Sequence, residues 1–190
     1  MSLPGRHQAA NLLVAARAAQ LFDPTEASRD ALLAGLEETR WAGRLSRVEG
    51  NPVRVYDVAH NQAGTRALAA ALDELGVPEG SVLVVGVLGD KDLSGMAGDL
   101  ARHFRTAVAA TPPHPLRARP AAETAEALRA AGIETQATET VAEAVALANE
   151  RRGPEGWVFV TGSLFTVGAA MEAYGDPVDR PRANLARPPG

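Results

Sequence analysis

A short polar cluster, Asp57-Val58-Ala59-His60-Asn61, follows an apolar segment that ends at Tyr56, and it contains side chains able to bind a ligand or move a proton. An aspartate at the end of a strand can accept hydrogen bonds from the hydroxyls of a ribose. His60 and Asn61 would lie at the N-terminus of the next helix, where anions are favoured. The alternative is structural: Asn61 caps that helix and His60 is a solvated loop residue.

A second cluster, Gly86-Val87-Leu88-Gly89-Asp90-Lys91-Asp92, closes the most hydrophobic segment of the chain. Lys91 is the single lysine among 19 basic residues, and its ammonium can act as a point charge for a carboxylate or a phosphate. Asp92 can cap the helix that starts at Leu93. The competing interpretation is a tight turn whose charges face water.

A third cluster, Thr161-Gly162-Ser163-Leu164, ends the last apolar segment. Its small residues leave room for a ligand, and a hydroxyl beside the N–H groups of a helix N-terminus suits a carboxylate. Ser163 could equally be the N-cap of the following helix and nothing more. It is not the nucleophile of a Gly-x-Ser-x-Gly elbow, because no glycine stands two residues before or after it.

Several motifs and residue types that are typical of other enzymes are absent from the sequence. It contains neither the Gly-x-x-x-x-Gly-Lys-Ser/Thr of a P-loop nor a Gly-x-Gly-x-x-Gly fingerprint, so a self-contained nucleotide hydrolase or a nicotinamide dehydrogenase is not expected. There is no cysteine, which removes thiolate nucleophiles and Cys-ligated zinc. The four histidines are scattered without an i, i+4 pairing, so we predict no metal site in this chain.

The elements that must position these clusters follow a pattern that changes once along the chain. Strong helix formers over 7–22 and 25–38 predict a helical hairpin. From residue 45 onward, short apolar strands alternate with alanine-rich helices. The runs Val-Leu-Val-Val and Trp-Val-Phe-Val are typical of strands covered on both faces. We therefore predict an α/β fold with a mostly parallel sheet of about six strands, helices on both sides, and the hairpin in front. Strands are expected at 45–48, 53–58, 81–88, 106–110, 133–137 and 157–161, and helices at 62–75, 93–104, 121–131, 141–151 and 164–174.

Composition restricts the partners and the location. A formal net charge of −4, the absence of a basic patch and 4% aromatic residues argue against nucleic acid. No run of about 18 apolar residues predicts a membrane span, and the first seven residues lack the apolar core of a signal peptide. We therefore expect a cytoplasmic protein. Residues 176–190 contain four prolines and little to bury, which predicts a disordered tail.

Five short motifs, taken in order, resemble the folylpolyglutamate synthase / dihydrofolate synthase family. Their order and spacing match over residues 5 to about 174. That family belongs to the Mur ligase superfamily of ATP-dependent, amide-forming enzymes, in which an ATPase domain precedes a Rossmann-like carboxy-terminal domain of three layers. The motifs are Gly5-Arg6-His7-Gln8-Ala9-Ala10-Asn11, Trp41-Ala42-Gly43-Arg44, Asp57-Val58-Ala59-His60-Asn61, Gly89-Asp90-Lys91-Asp92 and Val160-Thr161-Gly162-Ser163-Leu164-Phe165.

The resemblance implies a division into domains and a reaction. Residues 1–39 would be a helical remnant of the central ATPase domain, and residues 40–175 the Mur ligase-type carboxy-terminal domain. The P-loop, magnesium ligands and pterin-binding segment precede the matched part in the family, so ATP and Mg would be cofactors of the whole enzyme and the chain alone is expected to be inactive. In that reaction ATP phosphorylates the carboxylate of a reduced folate, and the amine of L-glutamate displaces phosphate to form a γ-glutamyl amide.

The resemblance also assigns nucleotide-binding residues. Gln8 and Asn11 would contact the adenine, since each amide can offer a donor and an acceptor to the edge of the base. Arg44, between the two domains, would reach the phosphates when the domains close. Asp57 would accept hydrogen bonds from the ribose hydroxyls.

For the amide-forming step, the resemblance makes His60 the catalytic residue, facing the incoming glutamate or the transferred phosphate. Lys91 and Ser163 would bind the carboxylates of glutamate. The resemblance thus gives Lys91, the single lysine, a ligand-binding role.

The chain departs from the family's pattern at three positions beside these residues. Val58 replaces a glycine, Gln62 replaces a proline, and Ala42 replaces the proline of Trp-Pro-Gly-Arg. Replacing glycine by Val58 removes any option of a positive φ at this position of the loop.

Two other interpretations stay open: a domain of another Mur-type amino-acid ligase, such as one that extends muramyl peptides, and a non-catalytic α/β binding module. Without an ATPase sheet to cover it, the hairpin would expose apolar side chains, so we expect self-association or fraying of residues 1–38. Those side chains are Leu12, Leu13, Phe22, Leu32 and Leu36.

Overall fold

The computed structural model describes residues 6–39, 41–89 and 91–177. Asp90 lies outside the described residues, and so do residues 178–190, which are most of the predicted tail. The side chains of residues 6–7, 26–28 and 36–37 are likewise outside them. The elements are α1 (Arg6–Phe22), α2 (Glu26–Glu38), β1 (Ser46–Val48), β2 (Arg54–Tyr56), α3 (Gln62–Leu75), β3 (Val82–Val85), α4 (Leu93–Leu100), β4 (Thr106–Ala110), α5 (Ala121–Ala130), β5 (Glu134–Thr138), α6 (Val141–Arg151), β6 (Val158–Thr161) and α7 (Leu164–Tyr174).

The strands form one six-stranded sheet in the order β1-β2-β6-β3-β4-β5. The strands β2, β6, β3, β4 and β5 pair in parallel, and only β1 runs antiparallel to its neighbour β2. The prediction of a mostly parallel sheet of about six strands is therefore confirmed.

Two hydrophobic cores, one on each face of the sheet, explain why the central strands are apolar throughout. In β3, Leu83 and Val85 pack into the core that contains α3, α4 and α5, whereas Val82 and Val84 pack into the core that contains α6 and α7. All four side chains are buried. Because successive residues of a strand point to opposite faces, a strand between two helical layers must be hydrophobic at every position.

The chain changes direction across the sheet between β3 and β6. After β3 it enters α4 on one face and moves outward through β4 and β5, and then β6 returns to the other side of β3, followed by α7 on the opposite face. Loops that leave neighbouring strands toward opposite faces open a crevice at the carboxyl edge of the sheet. This topological switch point places the second and third polar clusters next to each other.

Strand β3 and helix α4 are each four residues shorter than the sequence predicts, and strand β2 is three residues shorter than its predicted range 53–58. Both β3 and α4 end where the backbone finds other partners. Strand β3 stops at Val85 because Gly86 O accepts a hydrogen bond from Thr166 Oγ1 (2.8 Å) and Val87 O accepts from Arg119 N (3.2 Å). Helix α4 stops at Leu100, where the N–H groups of His103 and Phe104 both donate to Leu100 O in a tightened final turn.

The hairpin of α1 and α2 leaves large apolar side chains in contact with solvent. Phe22 is 94% exposed, and Leu13, Val14 and Leu21 are each about 70% exposed. This outward-facing surface was predicted for Leu13 and Phe22, which are exposed. Leu12 and Leu32, predicted with them, are half-buried, and the side chain of Leu36 lies outside the described residues. None of the helices in the described part of the chain combines the length and the hydrophobicity needed to cross a membrane.

The predicted tail began at Asp176, but this residue is held against the sheet. Its carboxylate accepts hydrogen bonds from Arg54 Nε (2.7 Å), Arg54 Nη2 (2.8 Å) and Tyr56 Oη (2.6 Å). The Arg54 guanidinium also lies 5.1 Å from the ring centre of Tyr174. The ordered domain therefore extends at least to Asp176, because a fully paired ionic group fixes the end of α7 to β2.

Candidate functional site

A cleft of about 300 Å³ lies at the carboxyl edge of the sheet, where the three polar clusters meet. Arg44, His60, Lys91 and Ser163 contribute its polar wall. The remaining lining is apolar or small: Trp41, Val58, Leu88, Gly162, Leu164 and Phe165. An amphipathic cleft with a few convergent polar groups is the usual form of a small-molecule site.

Asp57 ties two of the cleft loops together from beneath. Its carboxylate accepts hydrogen bonds from the N–H groups of Leu45 (2.9 Å) and Ala59 (2.8 Å), and the side chain is almost completely buried. The N–H of Val58 donates to Gly43 O (2.8 Å) beside it. The loop that carries Arg44 and the loop that carries His60 are thereby fixed relative to each other.

Val58, where the resemblance predicts a glycine, is accommodated without a positive φ. Leu45 is the one non-glycine residue with a positive φ in the described part of the chain, so Val58 is not strained. Its Cγ1 instead lies over Gly43, where an added Cβ would be only 2.8 Å away. Gly43 has φ of 78°, so it is required both by its conformation and by the space that Val58 occupies.

The ring of His60 is oriented by its own loop. Nδ1 lies 3.0 Å from Val58 O, a distance that assigns the proton of the neutral ring to Nδ1. Nε2 is then the nitrogen available for proton transfer with a ligand. The neighbouring Asn61 caps α3 by accepting a hydrogen bond from Gly64 N (2.8 Å), as the structural interpretation predicted.

Lys91 sits in a turn immediately before α4. Its N–H donates to Leu88 O (3.3 Å), and Asp92 caps the helix by accepting from Ser94 N and Gly95 N. The predicted N-cap at Asp92 is therefore confirmed. The side chain of Lys91 is half-buried and lines the cleft.

Ser163 is the buried N-cap of α7. Its Oγ accepts from Thr166 N (3.0 Å) and lies 2.8 Å from Thr166 Oγ1. Because Thr166 Oγ1 donates its own proton to Gly86 O, the Ser163 hydroxyl donates to Thr166 Oγ1. Gly162 (φ 105°) lets the loop before α7 pass close to the backbone of Gly86, since an added Cβ would lie 2.5 Å from Gly86 O. Both hydrogen-bonding functions of Ser163 are thus used inside the protein.

The structure brings together four of the seven residues that the sequence singled out and leaves three outside the cleft lining. Arg44, His60, Lys91 and Ser163 converge. Asp57 supports the loops from below, as described. On α1, Asn11 Nδ2 donates to Gln8 Oε1 (3.1 Å), and neither residue lines the cleft.

The charges that line the cleft favour an anionic ligand. Arg44, His60 and Lys91 are all able to carry positive charge, although the chain as a whole is acidic. Within the described residues, no three His, Asp or Glu side chains cluster closely enough to hold a metal ion.

The apolar wall of the cleft and the residues behind Lys91 were missed by sequence reasoning. Trp41, Leu164 and Phe165 lay inside recognised motifs, so motif position could have suggested them. Arg119, which contacts the Lys91 loop, carries no local signal that separates it from the other 17 arginines.

Comparison with known proteins places the fold in a family. Residues 43–164 match the family model for the Mur ligase, glutamate ligase domain. The chain is 33% identical, over 93% of its length, to a dihydrofolate synthase/folylpolyglutamate synthase of Mycobacterium tuberculosis, of which it covers 40%.

Solved structures give the same result. The folylpolyglutamate synthase of M. tuberculosis complexed with ADP and AMPPCP aligns with a TM-score of 0.82 and 30% identity over 93% of this chain and 42% of that chain. A bifunctional folylpolyglutamate synthase/dihydrofolate synthase with Mn, AMPPNP and L-glutamate bound aligns with a TM-score of 0.66 and 30% identity over 76% of this chain and 34% of that chain.

The chain therefore spans about one-third to two-fifths of the length of these relatives. Sequence motifs, the fold and the match over residues 43–164 agree. The resemblance to the folylpolyglutamate synthase family is confirmed, and the chain belongs to the family of Mur ligase, glutamate ligase domains.

Proposed function

We propose that this chain is the glutamate- and nucleotide-binding part of an ATP-dependent folylpolyglutamate synthase that works in the cytoplasm. The observation that carries the proposal is the convergence of Arg44, His60, Lys91 and Ser163 on one cleft at the switch point of the sheet. The relatives named above support the choice of nucleotide, folate and L-glutamate as ligands. Residues 1–39 would then belong to the preceding ATPase domain and residues 40–176 to the carboxy-terminal domain.

In this proposal each polar residue has one task. The Lys91 ammonium pairs with a carboxylate of glutamate, and Arg44 pairs with phosphate oxygens, as the chemistry of an ammonium and a guanidinium favours. Ser163 acts through the N-terminus of α7, which it fixes, because its own hydroxyl is already paired. Gln8 and Asn11 bind the adenine and Asp57 the ribose only when the two domains come together.

His60 serves the proton-transfer step of amide formation. The glutamate nitrogen attacks the acyl carbon of a folyl phosphate, the bond from that carbon to the phosphate oxygen breaks, and phosphate leaves. The nitrogen must lose a proton as the amide forms. Nε2 of His60 can accept it because Nδ1 is held in the protonated form by Val58 O.

The binding part of the proposal is tested by amide NMR titration of the chain with L-glutamate and then with Mg-ATP. We expect shifts confined to the loops at 57–61, 89–92 and 162–164. Lys91→Met removes a charge-assisted contact of about 1.5–3 kcal/mol and should weaken glutamate binding at least about tenfold. Arg151→Met is the matched control, since Arg151 pairs with exposed Glu134 away from the cleft. If glutamate caused the same amide shifts at the same concentrations in Lys91→Met as in the wild type, the proposed glutamate site would be contradicted.

The catalytic part is tested by supplying the amino-terminal part of the enzyme as a separate polypeptide. Phosphate release that depends on both glutamate and a reduced folate is the expected result, and His60→Gln should abolish most of it. Binding without phosphate release under these conditions would favour the non-catalytic binding module.

A further inference from the structure

The loop that carries Lys91 is paired along its side with the segment that follows β4. Gly89 N donates to Arg117 O (2.8 Å), and Arg119 N donates to Val87 O (3.2 Å). Leu88 and Ala118 form an isolated antiparallel bridge between these two bonds. The segment 117–119 therefore acts as a short extra strand against the loop at 87–89.

The side chain of Arg119 extends this pairing to Lys91 itself. Nη2 donates to Gly89 O (2.5 Å) and to Lys91 O (3.0 Å), and Nη1 pairs with Glu123 Oε2 (3.2 Å) in the first turn of α5. The side chain is only 18% exposed and does not line the cleft. A guanidinium has five N–H donors in a planar fork, so it can hold two carbonyls and a carboxylate at once, which a lysine ammonium on a flexible stem does less well.

Arg119 and Asp92 hold Lys91 from both sides. Arg119 fixes the carbonyls of Gly89 and Lys91. Asp92, the residue after Lys91, caps the first turn of α4 and so fixes the chain on the other side. The backbone of Lys91 is thus fixed on each side, although the loop lies at the surface. A fixed backbone lowers the conformational entropy that the loop and its long side chain lose when a ligand binds.

We propose that Arg119 is a positioning residue: it holds the backbone of the Lys91 loop so that the ammonium is directed at the cleft ligand. Its effect on glutamate binding rests on the proposed function, whereas its effect on the loop does not. The two effects are measured separately in the experiment below.

The loop is tested by hydrogen exchange in Arg119→Gln, Arg119→Lys and the control Arg151→Gln. Both Arg119 variants should raise the exchange rates of the Gly89 and Lys91 amides at least about tenfold, because each loses a charge-assisted pair of hydrogen bonds. The amides of Val84 and Val85 should be unaffected, which shows that the domain remains folded. Unchanged exchange at Gly89 and Lys91 would overturn the proposal.

The link to Lys91 is tested by a double-mutant cycle on L-glutamate affinity with Lys91→Met. Arg119→Gln should raise the Kd about tenfold alone and have little further effect in the Lys91→Met background. Arg119→Lys should resemble Arg119→Gln, because the fork and not the charge holds the loop. Additive effects, or a wild-type affinity in Arg119→Lys, would overturn the positioning role. If the wild-type chain binds no glutamate at millimolar concentration, the proposed function fails and the exchange rates alone decide what Arg119 does.

Discussion

Asp57 shows how a residue inside a recognised motif can serve a site without lining it. The motif suggested a ligand for a ribose, and the structure gives its carboxylate two backbone partners, Leu45 and Ala59. The ribose contact suggested by the motif stays a prediction. The structural task follows directly from the observed bonds.

Asp57→Ala should destabilise the domain, because it leaves two buried N–H groups without their acceptor. We expect a loss of roughly 2–4 kcal/mol in the free energy of unfolding, measured with chemical denaturant. Asp57→Asn retains one acceptor oxygen and should lie between Asp57→Ala and the wild type. Equal stability of Asp57→Ala and the wild type would show that water replaces the carboxylate at no cost.

The two tyrosines of the chain provide a pH-dependent prediction. Burial raises the pKa of Tyr174 to about 12, and burial together with the hydrogen bond to Asp176 raises the pKa of Tyr56 still further. A folded-state pKa above the ordinary value of 10.0 means that the neutral phenol is favoured by folding. Their contribution to stability is complete below pH 10 and is lost as the pH rises toward 12 and beyond.

The measurement is tyrosinate absorbance during an alkaline titration. The folded protein should show little ionisation at pH 10, where the denatured chain is half ionised. Asp176→Asn removes a negative charge beside Tyr56 and should bring the ionisation of that residue to lower pH. Normal titration of both tyrosines in the folded protein would contradict the buried network.

Among the elements, the helices that begin at the cleft edge were the most predictable part of the chain. Asn61, Asp92 and Ser163 were each recognised as possible caps, and each caps its helix in the structure. Capping depends on residues within one turn, so a local sequence contains the signal. The early end of β3 depends on Thr166 and Arg119, which are distant in sequence, and the local pattern could not reveal it.

The caps of α7 and α4 should differ in their contribution to stability. Ser163→Ala leaves the buried Thr166 N without an acceptor and removes the donor to Thr166 Oγ1, so we expect a loss of about 2 kcal/mol. Asp92→Ala acts at an exposed site where water can replace the carboxylate, and about 1 kcal/mol is expected. Denaturant unfolding of the two variants measures the difference, and the reverse order would contradict the role of burial.

At the scale of the whole molecule, the sequence could reveal the family but not the relative positions of the cleft residues. Residues 44, 60, 91 and 163 are widely spaced along the chain, and only the strand order brings them to one edge. That order depends on where β6 inserts, which no local pattern specifies. The apolar surface of the hairpin was predictable, because the helices contain more large hydrophobic residues than they can bury against each other.

We predict that the chain associates through that hairpin surface. Sedimentation of the wild type should give an apparent mass that rises with concentration, and the double variant Leu13→Gln/Phe22→Gln should reduce the rise. Leu116→Gln is the matched control, because Leu116 is also a highly exposed leucine but lies outside the hairpin. A single-chain mass at every concentration would exclude this association.

The two tryptophans give the protein an optical signal of its own. Trp41 is largely exposed and lines the cleft, whereas Trp157 precedes β6 at the opposite end of the strand, under the Arg47 guanidinium and stacked on Phe159. A ligand that enters the cleft should change the emission of Trp41 and leave that of Trp157 constant. With Trp41→Phe as the reference, cleft occupancy becomes visible in the unlabelled protein, and stopped-flow fluorescence can follow ligand entry in real time.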